Sequence, residues 1–427
     1  MCDLETTRGW YLARRAIPQE IDGCTCTRVP DPRCAPSLGA DMGKNIHERF
    51  EFNLQKKYGE GGYGATFAAT DKETKEPLAV KLIDTRRMKM DAIQKECHIL
   101  ETLSHPNVIS VKGHGVGQDR MSHLYFIFME LAGGGELFDQ VIDRGANAMP
   151  ESVARGFFCQ MLDGVAYCHL AGVAHRDLKL ENVLLNEKGE LKLIDFGLSH
   201  VYPRLADGVT VDRSKPLRDV CGSKSYAAPE VLASRGYDGY AADMWSLGVC
   251  LFAMLSGFFP LDEASANDWR YPKMAEGQTH GRSTTALVYS WYKRSCKHLT
   301  PEVVHLLDAL LAIDPSKRLT MEQARTHAWV AGTKFGGVGA ADQGSYNVSA
   351  EVGGEDGPAY RGFTNPKTFD DEMVVDEDDA PVYRSLGGGL DEAATPMPGL
   401  VRQRAKMDLL NEGGMDALDG LMGIGPI

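Results

Sequence analysis

A run of eight residues, His175-Arg176-Asp177-Leu178-Lys179-Leu180-Glu181-Asn182, sets an acid, a cation and an amide into one short stretch. A second acid opens Asp195-Phe196-Gly197, thirteen residues after Asn182. Those residue types in that order suit phosphoryl transfer from a nucleotide. An acid (Asp177) orients a hydroxyl and accepts its proton, and a cation (Lys179) offsets charge on the moving phosphoryl. Hard oxygen ligands (Asn182, Asp195) hold Mg²⁺ against the phosphates. A lone His-Arg-Asp match is the mark of many solvated turns; eight ordered positions followed by Asp-Phe-Gly at this spacing are not.

Such a loop needs elements that bring phosphates and a second cation to it. Residues 50–57 alternate apolar and polar like a strand, and 65–69 form a second strand-like run. Between them lies Gly59-Glu60-Gly61-Gly62-Tyr63-Gly64, whose glycines at 59, 61 and 64 let backbone N–H groups approach phosphate oxygens. A glycine loop between two strands differs from a dinucleotide-binding turn, which joins a strand to a helix. Leu78-Ala79-Val80-Lys81 reads as a third strand ending on a lysine. Residues 91–103 carry Ile93, Cys97, Leu100 and Leu103 on one helical face, and Glu96 lies off that stripe, within reach of Lys81. Residues 124–131 are a continuous apolar strand apart from Glu130, followed by the glycine-rich link Ala132-Gly133-Gly134-Gly135-Glu136. Helices are expected over 137–144 and 152–170, and a hairpin over 183–194 around Asn186-Glu187-Lys188-Gly189.

Together these motifs resemble the eukaryotic protein kinases of Ser/Thr type, over about residues 50–330. The ending Cys221-Gly222-Ser223-Lys224-Ser225-Tyr226-Ala227-Ala228-Pro229-Glu230 resembles the CAMK-like group, with its AMP-activated and checkpoint-kinase branches. The resemblance implies an α+β bilobal fold: a small β-rich lobe with one helix (46–131) and a larger helical lobe (136–331). It implies ATP between the lobes, Mg²⁺, and Ser or Thr hydroxyls of proteins as acceptors. Asp177, Lys179, Lys81, Glu96 and Ser223 would then carry the chemistry, with Ser223 standing where relatives use Thr to brace Asp177 and Lys179. The nucleotide would meet Gly59, Glu60, Gly61, Gly62, Gly64, Thr66, Ala79, Lys81, Met129, Glu130, Ala132, Glu136, Glu181, Leu184 and Asp195, and the metal Asn182 and Asp195. Within that set the backbone of Glu130 and Ala132 would bond adenine, Met129 line the back of the pocket and Leu184 its floor. Glu136 and Glu181 stand where basic-directed relatives meet an arginine upstream of the acceptor. The resemblance also gives Asp243 the role of accepting N–H bonds from the loop, and pairs Arg318 with Glu230.

Three departures from the family pattern stand out. Thr66 replaces a Val that packs on adenine, and Lys224 replaces a common Pro beside the acceptor site. Asp219 stands two residues before Cys221, where many relatives carry an activating Thr. Phosphothreonine brings a charge of about −1.5 to −2 and three acceptor oxygens, and a carboxylate brings one charge and two oxygens. Asp219 can therefore pair with Arg176 without an upstream enzyme; its other reading is an acidic loop residue in water. The segment from Asp195 to Glu230 is enlarged around 203–216 and contains Thr210 and Ser214 as modifiable hydroxyls. A Trp/Tyr-rich stretch within 268–297 (Trp291, Tyr292) reads as packing or as a docking surface.

Of the 427 residues, 43% are hydrophobic and 25% charged, as in soluble globular proteins. A net charge of −13 argues against nonspecific binding to nucleic acid or anionic membrane. Six of ten cysteines are scattered singly, like reduced core thiols; Cys2, Cys24, Cys26 and Cys34 cluster, as loose chain or as a metal knuckle. The start carries no secretory h-region, and Met42-Gly43 is a second candidate start. The uncharged run 244–261 reads as a buried helix, not a membrane span. A cytosolic or nuclear protein is expected, with no internal repeat. Residues 1–45 and 332–427 read as disordered extensions, the latter glycine-rich and acidic, with one short basic amphipathic helix over 400–411. That helix offers a regulatory partner or an autoinhibitory contact a place to act. The rivals to an active enzyme are a kinase-fold scaffold and an enzyme silent without a partner.

Overall fold

The computed structural model describes residues 46–61, 64–144 and 148–332. Gly62, the cysteine cluster, Met42, the acidic run and the 400–411 helix lie outside the described residues.

The chain opens with a turn of helix, α1 (Ile46–Arg49), and then β1 (Phe50–Gly61), β2 (Gly64–Asp71) and β3 (Pro77–Asp84). Helix α2 (Met90–Thr102) intervenes before β4 (Val111–Val116) and β5 (Leu124–Glu130). The five strands make one antiparallel sheet in the order β1-β2-β3-β5-β4. Alternation explains its two faces. Phe50, Phe67, Val80, Phe126 and Phe128 build an apolar layer on one face, with Phe50 and Phe128 stacked at 4.1 Å. The register aligns Thr66, Lys81 and Ile127 in one row across β2, β3 and β5. β1 runs beyond the expected 50–57 to Gly61, with register shifts between Asn53 and Gly59 that break the period-two pattern.

Past the link after β5, the chain becomes helical: α3 (Leu137–Ile142) and α4 (Glu151–Leu170). Short strands β6 (Val173–Ala174), β7 (Val183–Leu185), β8 (Leu191–Leu193) and β9 (His200–Val201) follow, pairing as β6-β9 and β7-β8. Then come α5 (Pro229–Leu232), α6 (Gly239–Ser256), α7 (Arg270–Thr279), α8 (Thr284–Trp291), α9 (Pro301–Leu310), α10 (Met321–Thr326) and α11 (Ala328–Ala331). The main core gathers apolar side chains of α4, α6, α9 and the buried face of α2.

Helix α6 begins before Asp243, because the Asp238 side chain accepts the Tyr240 N–H and caps it there. It ends at Gly257, whose φ of 73° closes the helix, so the uncharged run continues past it. By length and composition α6 could cross a membrane, but 89% of it is buried in the lobe. Two short helices, α10 and α11, close the domain. His327 adopts an extended ψ of 138° and its ring accepts the Trp329 N–H, restarting the helix. In the Trp/Tyr stretch, Tyr292 accepts from Arg270 at 2.6 Å and Trp291 packs against the core, so these side chains serve packing.

Candidate active site

The site is built outward from one buried carboxylate. Asp243, on α6 and fully buried, accepts the backbone N–H groups of His175 (2.9 Å) and Arg176 (2.8 Å), and bonds the His169 ring at 2.9 Å. Those bonds hold Arg176 at a φ of 66°, and Asp195 sits at 63°; only six described non-glycine residues have positive φ. Such conformations cost about 1–3 kcal/mol each and persist where surroundings enforce them. The His175 ring bonds the Ile194 carbonyl at 3.1 Å and packs on Phe196, joining the loop to Asp-Phe-Gly.

Both oxygens of Asp177 are held. One accepts the Ser223 N–H (2.9 Å) and hydroxyl (3.1 Å), the other lies 2.9 Å from the Lys179 ammonium and accepts from the Asn182 amide at 3.1 Å. Lys179 also donates to the Ser223 hydroxyl at 3.0 Å. Burial works against the Lys179 charge, but Asp177, Glu181 and Asp195 outweigh it and raise its pKa, so it remains a cation. The structure thus brings Asp177, Lys179, Asn182 and Ser223 into one network.

Across the cleft, Lys81 donates to Glu96 at 2.8 Å and lies 3.7 Å from Asp195. Burial disfavours the ammonium, and the two carboxylates more than restore it. Burial likewise raises the Asp195 carboxyl, but the Lys81 charge, with smaller help from His175, brings it below the usual carboxylate range. Glu96 is buried on α2, because the helix sets it beside the apolar stripe and facing β3.

Gly59 and Gly64 differ in kind. A Cβ on Gly64 would stand 1.8 Å from the Leu82 carbonyl oxygen, so the sheet itself demands glycine there. A Cβ on Gly59 would meet nothing within 4 Å, which leaves its surroundings open to a ligand. Glu60 pairs with Lys57, and Gly61 ends β1. Thr66 is half-buried beside Lys81 in the sheet register, and Ala79 faces Met129 across β3 and β5. The Glu130 carboxylate accepts from Ser110 N–H and pairs with Lys192, both at 2.8 Å, a tie that sequence reasoning missed. Ala132 and Leu184 are half-buried, and Leu184 bridges to Glu136, the residue before α3.

Glu181 is buried and accepts the Tyr226 hydroxyl at 2.8 Å, and burial pushes its carboxyl upward. The short helical turn over Leu180–Asn182 directs it inward.

Asp219 lies 2.6 Å from the Arg176 guanidinium, which also donates to the Leu198 carbonyl (2.7 Å) and to the Tyr237 hydroxyl (3.2 Å). Burial opposes the Asp219 charge, but the bond from Arg176 leaves its pKa lowered. The enlarged 203–216 stretch is a small hairpin: Arg204 pairs with Val211, and Asp207 accepts the N–H groups of Val209 and Thr210 at 2.8 Å. The Asp207-Gly208 pair, with Gly208 at a φ of 66°, was the signal that could have found it. Lys224 pairs with Glu263 at 3.0 Å, and Arg318 reaches Glu230 by two bonds of 2.5 and 3.0 Å.

The donor set fits Mg²⁺. Asp195 and Asn182 offer hard oxygens, and the Asn182 amide nitrogen is already spent on Asp177, which leaves its oxygen as the ligand atom. Among the described residues no group of three His, Cys, Asp or Glu could hold a softer metal.

A two-lobed fold with these loops at the lobe junction defines a class, and comparison with known families agrees. The family model of the protein kinase domain matches residues 52–330, and the chain belongs to that family. Among curated proteins it is similar to CBL-interacting protein kinase 8 of Oryza sativa subsp. japonica, 36% identical over 283 residues (65% of this chain, 57% of that one). CBL-interacting protein kinase 21 of the same organism is 36% identical over 307 residues (71% and 51%). CBL-interacting serine/threonine-protein kinase 20 of Arabidopsis thaliana is 34% identical over 284 residues (65% and 58%). The chain spans a little over half the length of these relatives.

Proposed function

We propose that the protein is a Ser/Thr protein kinase that transfers the γ-phosphoryl of ATP to Ser or Thr hydroxyls of other proteins. One observation carries this reading: the Lys81–Glu96 ion pair and the fully tethered Asp177 coexist in one structure. Lys81, fixed by Glu96, holds the α- and β-phosphates. Asp177 orients the acceptor hydroxyl and takes its proton, its direction set by Ser223 and Asn182. Lys179 steadies the transferring group from the acceptor side. Asn182 and Asp195 would hold Mg²⁺, which would supply neutralisation of charge on the phosphate oxygens.

Asp219 acts as a built-in substitute for an activating phosphothreonine; the 2.6 Å contact with Arg176 supports this. Glu136 and Glu181 support a preference for arginine upstream of the acceptor, Glu181 also accepting the Tyr226 hydroxyl. The similar kinases are CBL-interacting, which supports a regulatory partner for this chain as well.

The test is radiolabel transfer from Mg-ATP to an Arg-x-x-Ser/Thr peptide by recombinant, phosphatase-treated full chain, with Asp195→Asn as control. Transfer lost in the control is the expected result. Binding of Mg-ATP without transfer would favour a partner-dependent enzyme or a scaffold.

A further inference from the structure

Strand β4 carries a histidine that the proposed chemistry does not use. His114 sits between two glycines. A Cβ on Gly113 would stand 2.8 Å from the Phe50 ring, and one on Gly115 would stand 3.3 Å from Ile46. Phe50 and Ile46 belong to the apolar layer on one face of the sheet. Alternation along β4 therefore turns His114 to the opposite face, toward α2. Its Nε2 lies 2.9 Å from the carboxylate of Glu101, in the last turn of α2, and its Nδ1 lies 2.7 Å from the Tyr125 hydroxyl of β5.

Both ring nitrogens have partners. A carboxylate only accepts, so Nε2 donates to Glu101, and in the neutral ring Nδ1 accepts the Tyr125 hydroxyl. Tyr125 is bonded in turn to the Cys97 thiol, which stands on α2 one turn before Glu101. Burial pushes both the thiol and the phenol up to about 12, so both keep their protons. The bonded series Cys97, Tyr125, His114, Glu101 thus leaves α2, crosses β5 and β4, and returns to α2.

The sheet register connects this series to the cleft. Lys81 of β3, Ile127 of β5 and His114 of β4 stand in one row across the sheet. Directly paired residues share a face, so Lys81 and His114 both point to α2, with the buried Ile127 between them. Lys81 meets Glu96, and His114 meets Glu101. At helical spacing those two acids lie about 7.5 Å apart along the axis and about 140° apart around it. One tie leaves a helix able to turn about it; two ties on different sides fix its rotation. The start of α2 adds no further anchor, since Lys89 before it makes no side-chain cap.

We propose that His114 is a positioning residue: by holding Glu101 it sets the rotation of α2 at which Glu96 meets Lys81. The inference rests on the proposed role of Lys81 in holding the α- and β-phosphates. The effect of His114 passes through Glu101 and α2 to Glu96.

The test compares His114→Ala, His114→Gln and Glu101→Ala in the full chain, each alone and together with Glu96→Gln. The first readout is calorimetric affinity for a non-hydrolysable ATP analogue with Mg²⁺. Expected is a loss of about fivefold for His114→Ala and for Glu101→Ala, with no further loss once Glu96→Gln is present, because all three act on one tie. Gln keeps one donor and one acceptor, so His114→Gln should stay within about twofold of the unaltered chain. Equal losses with and without Glu96→Gln, or an affinity that His114→Ala leaves unchanged, would overturn the proposal. The second readout is hydrogen exchange over 90–103 with no nucleotide present. Exchange should quicken in His114→Ala and recover in His114→Gln; unchanged exchange would overturn the proposal as well. An unaltered chain that bound no nucleotide would sink the proposed function, and the exchange result would still decide whether His114 seats α2.

Discussion

Arg176 is gripped from two sides, by two aspartates in opposite settings. Asp243 is fully buried on α6 and takes the arginine's backbone N–H at 2.8 Å, with His175 and His169 completing its bonds. Asp219 lies in the segment from Asp195 to Glu230 with its side chain 61% exposed, and takes the guanidinium at 2.6 Å. The first contact cannot be given up without leaving buried donors unpaired, each at a cost of about 1–3 kcal/mol. The second competes with water at little cost. The backbone at Arg176 is thus tied into the buried core, while the side chain of the same residue reaches the exposed Asp219 in the 195–230 segment.

Removing the buried grip should give the largest effect. Asp243→Ala leaves three donors without partners and should destabilise the protein by about 3–5 kcal/mol, read as a fall in urea midpoint at unchanged slope. A midpoint shift under about 1 kcal/mol would mean the loop holds its shape without Asp243.

Acid separates the buried from the exposed further. His105 accepts the Asn107 N–H on its Nδ1, and burial lowers its pKa from 6.5 to about 4. The unfolded chain binds that proton first, so stability should decline as pH falls from 6.5 toward 4, by roughly 2–3 kcal/mol, and His105→Asn should flatten the slope. Asp219 has a lowered pKa, so its contribution is present above its ordinary value of 3.8 and is lost only as pH falls below that. The Arg176–Asp219 pair should therefore outlast the His105 transition.

The smallest effect is expected at the exposed grip. Asp219→Asn should change stability by less than about 1 kcal/mol and lower activity by up to about fivefold. Raising salt to about 0.5 M should weaken the native protein in the same direction and leave the variant nearly unaffected. Equal sensitivity of the two would show that the pair does not tune activity.

Much of the site could be read before any fold was known, because its chemistry resides in residue types at short, ordered spacing. His175 to Asn182, Asp195-Phe196-Gly197 and the glycine loop are local patterns. The amphipathic stripe of α2 also placed Glu96 to within reach of Lys81, since a helix of known period fixes which side chains share a face. The hairpin over 204–211 was missed, although Asp207-Gly208 marked its turn.

The amino-acid sequence by itself determined the strands about the glycine loop and the helix carrying Glu96, the acid, cation and amide of the loop, and the charge balance, since these follow from local period and chemistry. Only the tertiary structure decided which carboxylates face water. Glu181 turned inward to Tyr226, Glu130 was tied to Lys192, and Asp219 stayed exposed on Arg176. It also decided that Gly64 belongs to the sheet while Gly59 has open space around it. Burial and partnership of a charge depend on residues far away along the chain, whose approach only packing can set.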